Sequence, residues 1–216
     1  LRVALTVARA LKNIWDNHQI IHRDIKPDNI LITQANVIKI MDLGISIPLK
    51  NSRSEKNVIG TPSYMSPEQI ETPGDIDQRS DIYSLGATLY EILGGVEPFH
   101  GDDNSEIYKN VLKGKVRPLR ELRPQLSRST CSLIKKFMHR DRNKRPADWQ
   151  TAIDIIIKTS DECTRESIVD APEDLDLVYC MNKDLWSYRL WILLFIVGVL
   201  FFLVIAGLII DYGEQF

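Results

Sequence analysis

Cysteine is scarce in this chain, with Cys131, Cys163 and Cys180 scattered through 216 residues. So small and odd a number excludes a disulfide framework and fits a reducing compartment. The four histidines do not combine with these cysteines at metal-site spacings. Nor is there a basic stripe with interleaved aromatics, so nothing points to nucleic acid as a partner. An excess of one charge is missing as well: 27 Lys and Arg face 29 Asp and Glu, a net charge of −2. No internal repeat is visible. Long apolar runs are absent apart from one near the C-terminal end. What remains is one ordinary domain with an appendage.

The chemistry is concentrated in His22-Arg23-Asp24-Ile25-Lys26-Pro27-Asp28-Asn29. A carboxylate, an ammonium and an amide oxygen within one short loop suit phosphoryl transfer, in which the protein mainly positions groups and stabilises charge. Pro27 restricts the backbone between cation and amide, and Ile25 and Ile30 are placed to pin the loop to a core beneath it. After a short hairpin, residues 36–41 read as a strand that delivers Asp42-Leu43-Gly44. Taken alone, that triplet is more often a plain turn, and only its position gives it weight. Residues 46–57 then turn polar, and Gly60-Thr61-Pro62-Ser63-Tyr64-Met65-Ser66-Pro67-Glu68 follows.

In this order the three segments resemble the catalytic loop, metal-binding triplet and closing activation segment of serine/threonine protein kinases. The resemblance implies that Asp24 takes the proton of a substrate hydroxyl and that Lys26 steadies the transferred phosphate. It implies that Asn29 and Asp42 hold magnesium, or manganese in its place, between the phosphates of ATP. Thr61 is implied to hydrogen-bond toward Asp24 and Lys26 and so seat a Ser or Thr hydroxyl of a protein substrate. His22 has a structural place in the loop, Glu68 pairs with Arg145, and Asp81 reaches back to hold the loop backbone. As a generic acidic residue, Asp81 alternatively favours a helix N-terminus. Arg23 is expected to leave an unpaired cation that a phosphate on the activation segment neutralises, with Ser52 and Ser54 as acceptors. Leu43, standing where Phe is usual, is an apolar substitute. Gly44 is expected to give the backbone freedom.

The apolar spacing predicts a helix over residues 1–20 and further helices over 81–93, 105–112, 127–139, with Ser127 as N-cap, and 147–158 after Pro146. The expected fold is therefore mainly α, the larger kinase lobe over residues 1–158 with a short β-hairpin. An acidic linker over 159–185 is expected next, then a transmembrane helix with interfacial flanks over 186–212 and a tail over 213–216. The apolar run 190–210 is long enough to cross a hydrocarbon core of roughly 30 Å. Trp186, Tyr188, Trp191 and Tyr212 suit its interfaces. The bilayer is thus an expected partner, with the kinase region cytoplasmic and the tail on the opposite side. Gly198 is followed by Phe202 four residues on, so no tight dimer through the span is expected. Cys180 is expected as a free thiol, with acylation as the alternative.

The sequence holds no Gly-rich loop and no strand lysine of the V-A-I-K type. A smaller lobe is therefore expected elsewhere in a longer parent, and residues 1–216 alone are expected to transfer phosphate poorly. Two rivals stand beside this reading: a pseudokinase or membrane scaffold that catalyses nothing, and a small-molecule phosphotransferase. The closing segment with Arg145 disfavours the second.

Overall fold

A computed structural model describes residues 1–167 of the chain. Helix α1 (Arg2–His18) buries Ala4, Val7, Ala8 and Leu11, the spacing of one helical face. It stops where Gln19 turns left-handed at φ 52° and its N–H donates to Trp15 O at 2.8 Å, a helix-ending αL bond. Strand β1 (Ile20–Ile21) enters the polar loop. Strands β2 (Ile30–Ile32) and β3 (Ile38–Ile40) form the expected hairpin, antiparallel with Leu31 opposite Lys39. Asn36, at φ 61°, turns the chain between them, a conformation that asparagine tolerates.

The polar stretch 46–57 is more ordered than its composition suggested. It opens with strand β4 (Ile47–Pro48), antiparallel to β1 with Ile47 opposite Ile21, and continues as one turn of helix, α2 (Leu49–Ser52). Leu49 N–H donates to Gln19 O at 2.8 Å. Pairing across nearly thirty residues leaves no local pattern to read.

Helix α3 (Pro67–Glu71) is started by a capping box: Ser66 Oγ accepts from Gln69 N–H, and Gln69 Oε1 accepts from Ser66 N–H at 2.9 Å. Helix α4 (Gln78–Gly94) is buried continuously from Ser80 to Tyr90, as befits a helix surrounded by others. It starts three residues before the expected Asp81, because Asp77 is the cap and accepts from Arg79 N–H at 2.8 Å. Helices α5 (Asn104–Lys113), α6 (Leu119–Leu122) and α7 (Arg128–Phe137) follow. Ser127 caps α7 as expected, accepting from Thr130 N–H at 3.1 Å.

Helix α8 (Trp149–Ser167) runs nine residues past the predicted boundary at 158, into the expected linker. Ala152, Ile156 and Thr159 are buried in a line along it. The stripe that packs on the core thus outlasts the apolar composition. Leu85 and Leu89 of α4, Leu133 and Phe137 of α7, and Trp149 and Ile156 of α8 share one core with α1.

Among the described residues no helix is long and apolar enough to cross a membrane. The run 190–210, its aromatic flanks, Cys180, the rest of the linker and the tail lie outside the described residues.

Candidate active site

The loop 22–29 hangs on α4. Asp81 is fully buried and accepts from the backbone N–H groups of His22 at 2.8 Å and Arg23 at 2.9 Å. Burial pushes its carboxyl up, against the pull of His22 and Arg23. One turn on, Ser84 Oγ donates to Tyr64 O at 2.9 Å, and Thr88 Oγ donates to Ile25 O at 3.1 Å. Residues 81, 84 and 88 share one helical face, so a single polar stripe serves both the loop and the segment that closes over it. His22 is buried, and its Nε2 has no hydrogen-bond partner among the described residues. Ile25 is buried as expected, whereas Ile30 is only half-buried.

Asp24, Lys26 and Thr61 meet in front of this platform. Thr61 donates to Asp24 Oδ1 twice, from its N–H at 3.0 Å and from Oγ1 at 2.7 Å. Lys26 Nζ donates to Thr61 Oγ1 at 2.7 Å and lies 3.1 Å from Asp24 Oδ2. Burial favours the neutral acid at Asp24, but the hydrogen bonds from Thr61 and Lys26, the lysine charge and Asn29 outweigh it and hold the carboxyl below the ordinary aspartate value. Asp24 is therefore a carboxylate at neutral pH. The Oγ1 of Thr61 both donates and accepts, fixing the carboxylate and the ammonium on either side of one hydroxyl.

Asn29 Nδ2 donates to Asp24 O at 2.7 Å and to Asp24 Oδ2 at 3.0 Å, which leaves the amide oxygen as the group it presents. Met41 N–H donates to Asn29 O at 2.8 Å, so the hairpin ties the backbone just before Asp42 to that of Asn29. Asp42 is exposed, at φ 59°, and its Oδ1 accepts from Gly44 N–H at 2.8 Å. A Cβ on Gly44 would lie 2.8 Å from that oxygen. Leu43 is 54 % exposed.

Among the described residues no group of three or more His, Cys, Asp or Glu is arranged to hold a metal ion. An amide oxygen and a carboxylate fit a hard cation that takes its other ligands from phosphate and water.

Glu68 and Arg145 form the expected pair, bidentate at 2.7 and 2.9 Å. The remaining guanidinium N–H groups donate to the carbonyls of His139, Arg79 and Arg140. Arg145 also sits over the Tyr83 ring, 4.8 Å from its centre. Ser80 Oγ donates to Glu68 at 2.7 Å. Burial opposes ionisation of Glu68, but Arg145 and Ser80 hold its carboxyl below the ordinary value.

Two expectations at the activation segment are corrected. Arg23 is not an unpaired cation: its Nη1 lies 3.1 Å from Glu55 Oε2, and its Nε donates to Ile45 O at 2.6 Å. Ser52 is buried, with Oγ donating to Leu49 O at 2.8 Å, so it is not presented as an acceptor. Ser54 is exposed.

The site also uses residues that the sequence reading did not single out. Gln69 Nε2 donates to Arg23 O at 3.1 Å. Gly60, at φ 132°, passes so close that a Cβ would meet that same carbonyl at 2.8 Å. Ser84, Thr88 and Glu55 complete the set. For Ser84 and Thr88 a signal existed, namely polar residues in helical register with Asp81 inside an otherwise apolar helix. No comparable signal marked Gln69 or Glu55.

The family model described as the protein kinase domain matches residues 2–156. A probable serine/threonine-protein kinase of Clostridium perfringens is 37% identical over 158 residues, 72% of this chain and 22% of that protein. The serine/threonine-protein kinase PknB of Mycobacterium leprae is 46% identical over 119 residues, 52% of this chain and 19% of that protein. PknB of Mycolicibacterium smegmatis is 41% identical over 132 residues, 57% and 21% respectively. The chain thus spans about a fifth of the length of the curated relatives it matches.

Proposed function

Because the chain belongs to the protein kinase domain family, we propose that it carries the hydroxyl-activating half of an ATP-dependent protein serine/threonine kinase. The observation that carries this reading is the arrangement of Asp24, Lys26 and Thr61 around one hydroxyl. The carboxylate of Asp24 takes the position that accepts a proton from a substrate Ser or Thr. Held below its ordinary value, it is a weak base and acts mainly by orienting that hydroxyl for attack. Lys26 places its ammonium where charge gathers on the transferred phosphate, and Thr61 keeps base and cation at fixed separation.

Asn29 and Asp42 are the residues to hold magnesium, with manganese as a substitute. When bound, the cation neutralises charge on the nucleotide phosphates. This work belongs to the longer protein. Nothing in residues 1–216 supplies a Gly-rich loop or a strand lysine to grip those phosphates, so this stretch alone transfers phosphate poorly.

The apolar run 190–210 supports a single-pass membrane anchor, and dependence on ATP places the kinase region on the cytoplasmic side, with the tail across the bilayer. Membrane fractionation before and after deletion of 190–210 tests the anchor, and release into the soluble fraction is expected.

For the activity, the longer protein is assayed on Ser and Thr peptides beside its Asp24→Asn variant. Phosphopeptide from the first and almost none from the second is expected. Equal transfer by both would sink the reading.

A further inference from the structure

Resting on the kinase reading, we propose that Glu55 is a positioning residue whose own carboxylate occupies the seat on Arg23 where an activation-segment phosphate would bind. The segment 45–61 is then held in working shape without phosphorylation of Ser52 or Ser54. Both side chains are largely out of solvent, at 8% and 15% exposure, so the ion pair is only weakly screened. The second oxygen of Glu55 accepts from the N–H groups of Lys56 at 3.1 Å and Asn57 at 3.0 Å, leaving neither oxygen idle.

The bonds of Arg23 tie one part of the site to another. Its N–H goes to Asp81, its carbonyl to Gln69, its Nε to Ile45 O and its Nη1 to Glu55. Arg23 itself is bent to φ 70°, a left-handed conformation costly for a side chain of this size and sustained only by such surrounding contacts. Asp24 is the next residue along, so what fixes Arg23 fixes the carboxylate that faces the substrate.

The space beside the pair argues that Glu55 replaces a phosphate rather than awaiting one. The cavity lined by Arg23, Glu55, Asn57, Ile59 and Gln69 has a volume of about 10 Å³, room for about one water. A phosphate needs that seat vacated. The two serines are also poorly suited to fill it. Ser52 is buried, and Ser54 Oγ already donates to Asn51 O at 2.7 Å. The backbone of residues 52–55 is packed against Gly74, where a Cβ would meet Arg53 O at 3.2 Å and Glu55 O at 3.3 Å. The segment is thus docked with its carboxylate inward.

The test compares the longer protein, treated with phosphatase, with its Glu55→Gln, Glu55→Asp and Ser52→Ala/Ser54→Ala variants. Wild type and the double-serine variant are expected to keep their transfer rate. Glu55→Gln should lose about tenfold in kcat, the scale of one charged hydrogen bond, with KM for ATP unchanged and partial recovery in Glu55→Asp.

A second readout needs no catalysis. Trypsin cleavage after Arg53 and Lys56 of the chain should quicken about fivefold in Glu55→Gln as local opening becomes easier. Loss of transfer on phosphatase treatment, or in the double-serine variant, overturns the proposal. So does a Glu55→Gln protein that matches wild type in trypsin cleavage. If wild type transfers no phosphate at all, the kinase reading fails, while the trypsin comparison still decides the role of Glu55.

Discussion

Two stretches of chain meet at Asp24, and they are secured in opposite ways. Residues 22–29 hang from inside: Asp81 and Thr88, both buried in α4, hold two amides and a carbonyl of the loop. Residues 45–61 are secured from outside, by a two-residue strand pairing, the Arg23–Glu55 pair and the bonds of Thr61. A buried bond lacks competing water, and its loss strands an unsatisfied group, whereas a partly exposed contact can open and be re-solvated at small cost. The loop that presents the carboxylate is therefore fixed by buried bonds, whereas the segment that frames a substrate depends on fewer contacts, the Arg23–Glu55 pair chief among them.

The sharpest break of this comparison comes at the point where the two stretches touch. Asp24→Asn in the longer protein should lower kcat on peptide substrates about 10²- to 10⁴-fold, with a modest fall in the unfolding midpoint from the weakened contacts to Thr61 and Lys26. Next comes the foundation under both. Arg145→Ala leaves the buried Glu68 without its counter-ion, and should cost roughly 3 to 5 kcal/mol in urea unfolding. Arg145→Lys should recover little, because an ammonium cannot reproduce the two-pronged contact. Asp81→Ala unties two backbone N–H groups and should cost about 3 kcal/mol. Hydrogen exchange at His22 and Arg23 should quicken in that variant more than exchange in β4. Thr88→Val keeps shape and loses one hydrogen bond, for about 1 kcal/mol by the same unfolding measurement.

The gentlest probe is acid. Glu68 and Asp24 are both held below their ordinary values of 4.5 and 3.8. Their contribution is complete above those values and disappears as pH falls through the lowered ones. Stability should be flat with respect to these groups at neutral pH and decline below about 4.5. Glu68→Gln should reduce the slope of that decline in an acid-unfolding titration.

Asp24, Lys26 and Asn29 were legible in the sequence because their chemistry is compressed into one short segment whose residue types are unusual together, while the place of Thr61 beside them was legible only through family resemblance. The pairing of Glu68 with Arg145 was legible only through family resemblance, since no local pattern joins residues so far apart. Gln69 and Glu55 were out of reach for the same reason, with nothing to mark them. Glu55 looks like any charge in a solvated loop until β4 folds back onto β1 and turns it toward Arg23. The start of α4 was misplaced because Asp77 and Asp81 both suit a helix beginning, and only the bond from Arg79 N–H decides between them. The end of α8 was misplaced because the composition turns polar and acidic from Thr159 onward while the helix runs on to Ser167.

The Glu68–Arg145 pair joins residues 77 positions apart, and this separation sets an order of events during synthesis. At about 5 to 20 residues per second, Arg145 is added some 4 to 15 s after Glu68. Throughout that interval α3 has no counter-ion for its carboxylate, so it cannot settle into its final berth. The ribosome therefore completes this ion pair well after residues 22–61 have been made, and a nascent chain stopped before Arg145 offers chaperones and proteases an unsettled α3.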